Sequence, residues 1–174
     1  AEGAVRGRVG TPLRPADSPV DESASGQPVI GAGWPSALGP PPHVSVTHCA
    51  GQALAVAALP GRWGGVGIDM ERVAPREESF LAQAFSAEEL ALLRAVPAGR
   101  RDRTIARAWC AKEAAAKAHG LGIGEIDRFR ISHADNSSPR VGIWDSASGV
   151  PCDMADLPEF VGDLVAGVVV VKPA

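Results

Sequence analysis

The chain has 174 residues, 45% of them apolar and 21% charged, enough for one hydrophobic core or two small halves. Its net charge of -3 selects no class of partner, and no stretch is long and apolar enough to span a membrane. With no tyrosine, few other aromatics and no nucleic-acid motif, a nucleic-acid role is disfavoured.

Residues 1–42 are dominated by Gly, Pro, Ala and Ser and read as a linker-like arm, with a short strand around "PVIG". The folded domain is expected over 43–174. "HVSVTH" (43–48) alternates as a strand, residues 50–52 turn the chain, and "ALAVAAL" (53–59) is a second strand. "GGVGIDM" (64–70) is a third, and the three suggest an antiparallel meander. Pro75 can open a helix over "REESFLAQAF". Ser86 is a good N-cap for the next helix, with Glu89 at the capping-box position, and Pro97 ends it. A long alanine-rich helix is expected from about Asp102 to His119, closed by Gly120. "IDRFRIS", "RVGIWD" and "LVAGVVVV" follow as strands. Strands, helices, then strands predict an α+β fold: an antiparallel sheet packed against helices.

Cys49, Cys110 and Cys152 form no CxxC pair and suggest a reducing, cytoplasmic setting; no signal peptide is recognisable. Between Arg94 and Lys117, seven basic side chains face two acidic ones. That patch reads either as a solvated helix face or as a dock for an acidic macromolecule or a phosphorylated ligand.

Two stretches carry the chemistry. In "VGIDMER" (66–72) a β-branched apolar strand ends in Asp69 and Glu71. Residues i and i+2 of a strand share a face, so both carboxylates would enter one small volume, where like charges repel unless a cation or a proton lies between them. The alternative is a strand running out into a solvated turn. In "AWCAKEAAAKAHG", Trp109, Glu113 and Lys117 fall on one helical stripe with Lys112 beside it. A packed tryptophan over a Glu113–Lys117 helix pair would also explain that stripe.

Taken together, "VGIDMER" and "WCAKEAAAK" resemble the paired signature of the 4'-phosphopantetheinyl transferases of the surfactin-synthetase-activating type. Val66, Gly67, Ile68, Asp69 and Glu71 match the first motif; Trp109, Lys112, Glu113, Ala114 and Lys117 match the second. "FSAEE" (85–89) resembles the family's Phe-x-x-x-Glu stretch. "VSVTHC" (44–49) resembles its histidine strand, with His48 kept and Thr47 and Cys49 in place of serines. The resemblance implies an enzyme that moves the phosphopantetheine arm of coenzyme A to a serine of an apo acyl or peptidyl carrier protein. The other product is adenosine 3',5'-bisphosphate. It further implies Mg²⁺ held by Asp69, Glu71 and Glu113, with Asp69, Glu113 and Lys117 as catalytic groups. A base role falls to Glu113 or to a metal-bound water. Coenzyme A contacts are implied for His48 (at the 3'-phosphate) and Lys117, and in a supporting way for Lys112, which alternatively holds the helix. Trp109 is expected to pack rather than touch substrate.

Only about 47 residues precede His48, less than the N-terminal half that two-half members carry. The short holo-acyl-carrier-protein synthases are single units with sites between the subunits of a homotrimer. The cleft's second wall should then come either from residues 1–60 of the same chain, with His48 facing Asp69, or from a neighbour. The expectation leans to a homo-oligomer, most plausibly a trimer. The Gly/Pro-rich start and Ala1 fit an excised C-terminal domain of a polyketide or fatty acid synthase. The competing function is a catalytically silent domain that docks a carrier.

Overall fold

A computed structural model describes residues 20–23, 26–134, 141–157 and 163–173. Elements follow in chain order as strands β1 (Val20–Glu22), β2 (Pro28–Ile30), β3 (His43–Cys49), β4 (Gln52–Ala58) and β5 (Gly65–Arg72). Three helices come next: α1 (Glu78–Ala84), α2 (Ala87–Ala95) and α3 (Ala98–Ala118). Strands β6 (Phe129–Ala134), β7 (Val141–Asp145), β8 (Val150–Pro151), β9 (Asp153–Asp156) and β10 (Leu164–Val171) complete the fold. The architecture is α+β, with antiparallel strands packed on helices, as the order of patterns predicts. The linker-like arm lies partly outside the described residues; within them, β1 and β2 form a short hairpin at Val20–Ile30.

The β3–β4 hairpin closes through Ala50 and Gly51, both with positive φ, which is the tight two-residue turn that suits a twisted ladder. The expected three-strand meander does not form. β5 pairs with β10 along its whole length, and β10 with β9. The reason lies in burial. β5 is buried from Gly65 to Met70, so it needs a partner as apolar as itself, and "LVAGVVVV" is that partner. The hairpin instead lies against β5 through side chains: Ser45 Oγ accepts from Ile68 N at 3.1 Å. Leu54 and Cys49 pack on Met70.

Ser86 and Glu89 form the reciprocal capping box at the start of α2. α3 begins at Ala98, four residues earlier than its pattern suggests, directly after Pro97 at its N-cap. It is closed by Gly120, two residues past Ala118, whose φ of 74° glycine adopts without a Cβ clash. Its alanines are buried against β5 and β10. Gly65 and Gly67 permit this approach, because a Cβ on either would overlap the carbonyl oxygen of Ala118 or Ala114. Trp109 fills the α1 side of α3, edge-on to Phe80 at 5.2 Å and to Phe85 at 6.3 Å. No helix of the described residues is long and apolar enough to cross a membrane.

Candidate active site

Close packing of β5 on α3 brings the acidic end of the strand beside the last two turns of the helix. Asp69, Glu71 and Glu113 each present a carboxylate oxygen within 4.8 Å of the others. The i, i+2 spacing on the strand therefore does place both carboxylates in one volume. Lys117 reaches across from the helix, with Nζ 2.6 Å from Asp69 Oδ1, 3.2 Å from Ile68 O and 3.8 Å from Glu113 Oε2. Arg76 pairs with Glu71 from the other side. Thr47 Oγ1 donates to Asp69 Oδ1 at 3.1 Å. The Cys110 thiol donates to the Asp69 carbonyl at 3.1 Å, and burial pushes that thiol well above its usual range.

The cluster is electrostatically unfinished. Asp69 is 3% exposed, yet its Oδ2 has no hydrogen-bond partner. Burial first, then the charge of Asp69, pushes Glu113 up to about 7 despite Lys117. The same two causes raise Glu71, with Arg76 opposing them. A buried acceptor without a donor, among three converging carboxylates, is what a hard divalent cation fits.

Beside Lys117 runs a cleft of about 590 Å³. One wall is Gly65, Val66, Lys117 and His119; the other is Gln27–Ile30 and Pro40–Val44. Gln27 Nε2 clips the two together by donating to Lys117 O at 2.7 Å.

Residues 65–169 match the 4'-phosphopantetheinyl transferase superfamily. The chain belongs to that superfamily. It is also 34% identical over 94 residues to the holo-[acyl-carrier-protein] synthase of Shewanella denitrificans, covering 48% of this chain and 73% of that protein. To the holo-[acyl-carrier-protein] synthase of Chloroflexus aggregans it is 35% identical over 68 residues, covering 39% of this chain and 45% of that protein. The enzyme is therefore a phosphopantetheinyl transferase, moving phosphopantetheine from coenzyme A to a carrier protein.

Not every residue singled out in the sequence meets the cluster. Asp69, Glu71, Glu113 and Lys117 do. His48 does not: it is exposed on the face of β3 opposite the buried Ser45 and Thr47, so Thr47 and not His48 faces Asp69. Lys112 is 0% exposed and bonded to Ala84 O and Glu89, which leaves its ammonium no route to a coenzyme A phosphate; the alternative, that it holds the helix, is the one the geometry follows. The sequence gives Thr47 and Gln27 no site role. Strand parity with Ser45 is the available signal for Thr47; nothing local marks Gln27.

Within the basic stretch, Arg94 pairs with Glu78, and Arg101 donates to the Arg94 and Val96 carbonyls at the end of α2. Part of that charge therefore serves helix ends.

Proposed function

We propose that Asp69, Glu71 and Glu113 hold Mg²⁺ and that coenzyme A lies in the adjoining cleft with its pyrophosphate toward Lys117. The observation that carries this reading is the three-carboxylate cluster with its unpartnered Asp69 Oδ2 beside an open cleft. When bound, the cation would offset the pyrophosphate charge and polarise the phosphorus under attack. Lys117 compensates charge on the departing adenosine 3',5'-bisphosphate. Glu113 would take the proton of the attacking serine at its carboxylate oxygen. The serine oxygen forms the new bond to phosphorus as the bond to the bisphosphate oxygen breaks. Thr47 orients Asp69.

The cleft's second wall belongs to the same chain, and that supports a site complete in one subunit over one shared between subunits. Sedimentation across a concentration series tests this: a persistent monomer of 17.9 kDa that still transfers phosphopantetheine is the expected outcome. The exposed Arg100, at the start of α3, is read as part of a dock for an acidic carrier. Free cysteines support a cytoplasmic setting.

Incubation with coenzyme A, Mg²⁺ and an apo carrier protein tests the whole reading. The carrier's intact mass should rise by one phosphopantetheine group. No gain with any of several acyl and peptidyl carriers would instead leave a silent docking domain.

A further inference from the structure

Lysine is almost never fully buried, and a methionine would fill the space of Lys112 without the cost of desolvating an ammonium. Yet Lys112 has no exposed surface. Its Nζ donates to Ala84 O at 2.8 Å and reaches Glu89 Oε1 at 3.3 Å and Oε2 at 3.4 Å. The Phe85 ring centroid lies 5.3 Å from it. Glu89 is equally buried and also accepts from Ser86 N at 2.7 Å and Ile131 N at 2.8 Å. Arg130 Nη1 also lies 3.7 Å from Glu89 Oε2, and this charged cluster ties together the end of α1, the start of α2, the middle of α3 and β6. Phe85 and Glu89 of the "FSAEE" stretch meet Lys112 of the helix motif there, and none of the three enters the carboxylate cluster.

The interface between α3 and β5 shows why such a tie matters. Where the helix crosses the strand, glycines 65 and 67 face Ala118 and Ala114. Glycine against alanine makes a smooth contact there, and the side chains that cross from α3 to β5 are Cys110, bonded to Asp69 O, and Lys117, bonded to Ile68 O and Asp69 Oδ1. Glu113 is the next residue after Lys112, turned about 100° around the helix. Any axial slip at Lys112 is passed rigidly to Glu113 and Lys117, and misplacement by about 1 Å costs roughly 100-fold in rate.

We propose that the Lys112–Glu89 pair is a positioning device: it fixes α3 against α1, α2 and β6 and so, together with the direct bonds from Cys110 and Lys117 to β5, sets where Glu113 and Lys117 meet Asp69. Lys112 acts through those residues and touches neither coenzyme A nor carrier. The inference rests on the active-site reading above.

The test compares Lys112→Met and Glu89→Gln with Ile143→Ala, a core substitution in β7, opposite Ile131, that removes none of the pair's own hydrogen bonds. All are assayed at a temperature where circular dichroism shows them folded. Lys112→Met should lose at least tenfold in kcat with the coenzyme A KM within twofold, Glu89→Gln should lose less with the same split, and Ile143→Ala should keep both within twofold. Lys112→Arg should recover part of the loss. Amide exchange over residues 113–118 should quicken in Lys112→Met and not in Ile143→Ala, whatever the transfer assay shows. If Lys112→Met does not fold, Glu89→Gln carries both readings. Losses no greater than those of Ile143→Ala, a rise in coenzyme A KM at constant kcat, or unchanged exchange at 113–118 would overturn the proposal. A wild-type chain that modifies no carrier would sink the activity reading instead, and the exchange measurement would still decide this one.

Discussion

Asp69 and Asp145 are both buried aspartates, 3% and 2% exposed, and each sits on a strand beside a basic side chain. They differ in how fully their oxygens are used. Asp145 accepts from Arg128 Nε at 2.6 Å and Nη2 at 2.7 Å, from Ala147 N at 2.9 Å and from Ser148 Oγ at 2.8 Å. Arg128 above all holds its carboxyl far below the usual range. Asp69 has Thr47 and Lys117 on one oxygen and nothing on the other, with two more carboxylates close by. A saturated carboxylate holds the fold together, whereas one left short of donors and crowded by like charges is arranged for a ligand.

The largest effect should separate the two by activity. Asp69→Asn keeps the shape and removes the charge; transfer should fall by about 10³-fold while the thermal midpoint changes little. Glu113→Ala should be as severe and Glu71→Ala milder, because water can occupy one Mg²⁺ position. Steady-state rates alongside melting curves check this, and full transfer in Asp69→Asn would remove the metal assignment.

Asp145→Asn should do the reverse. Stability should drop by on the order of 2 kcal/mol, less than for a fully buried pair because Arg128 is partly exposed, while kcat per folded molecule stays within about twofold. Its pH dependence has a definite sign. A depressed carboxyl stabilises the fold above the unfolded aspartate pKa, near 3.8, and that contribution is lost as pH falls below it. Urea unfolding from pH 7 down to pH 3 should therefore show a steeper loss for the wild type than for Asp145→Asn.

Mg²⁺ should sharpen the contrast further. Present at about 100 times its dissociation constant, it should stabilise the wild type and Asp145→Asn by roughly 2.7 kcal/mol, and Asp69→Asn much less. Equal thermal shifts in all three would place the cation elsewhere. The smallest effect belongs to Thr47→Val. Losing one hydrogen bond to Asp69 should cost about 1 kcal/mol, or about fivefold in kcat. A variant indistinguishable from wild type would show that Lys117 alone orients Asp69.

Local physics made much of this legible in the sequence. The capping box at Ser86 and Glu89, the glycine that closes α3 and the shared face of Asp69 and Glu71 depend on spacings within a few residues. The two motifs carried the carboxylates and Lys117 to one another across a long gap, because their residue types suit one chemistry. Other features were decided only by tertiary structure. The arm's contribution to the cleft depends on Gln27 meeting a carbonyl 90 residues away. β5 turned from β4 to β10 because burial on both faces demanded an apolar partner, and strand order is not written in the spacing of either. Lys112 and Glu113 are the plainest case. They are neighbours in the same motif and both carry charge, yet one is sealed in the core with Glu89 while the other meets Asp69. A helix turns about 100° per residue, so which side faces the core is set by everything packed around it.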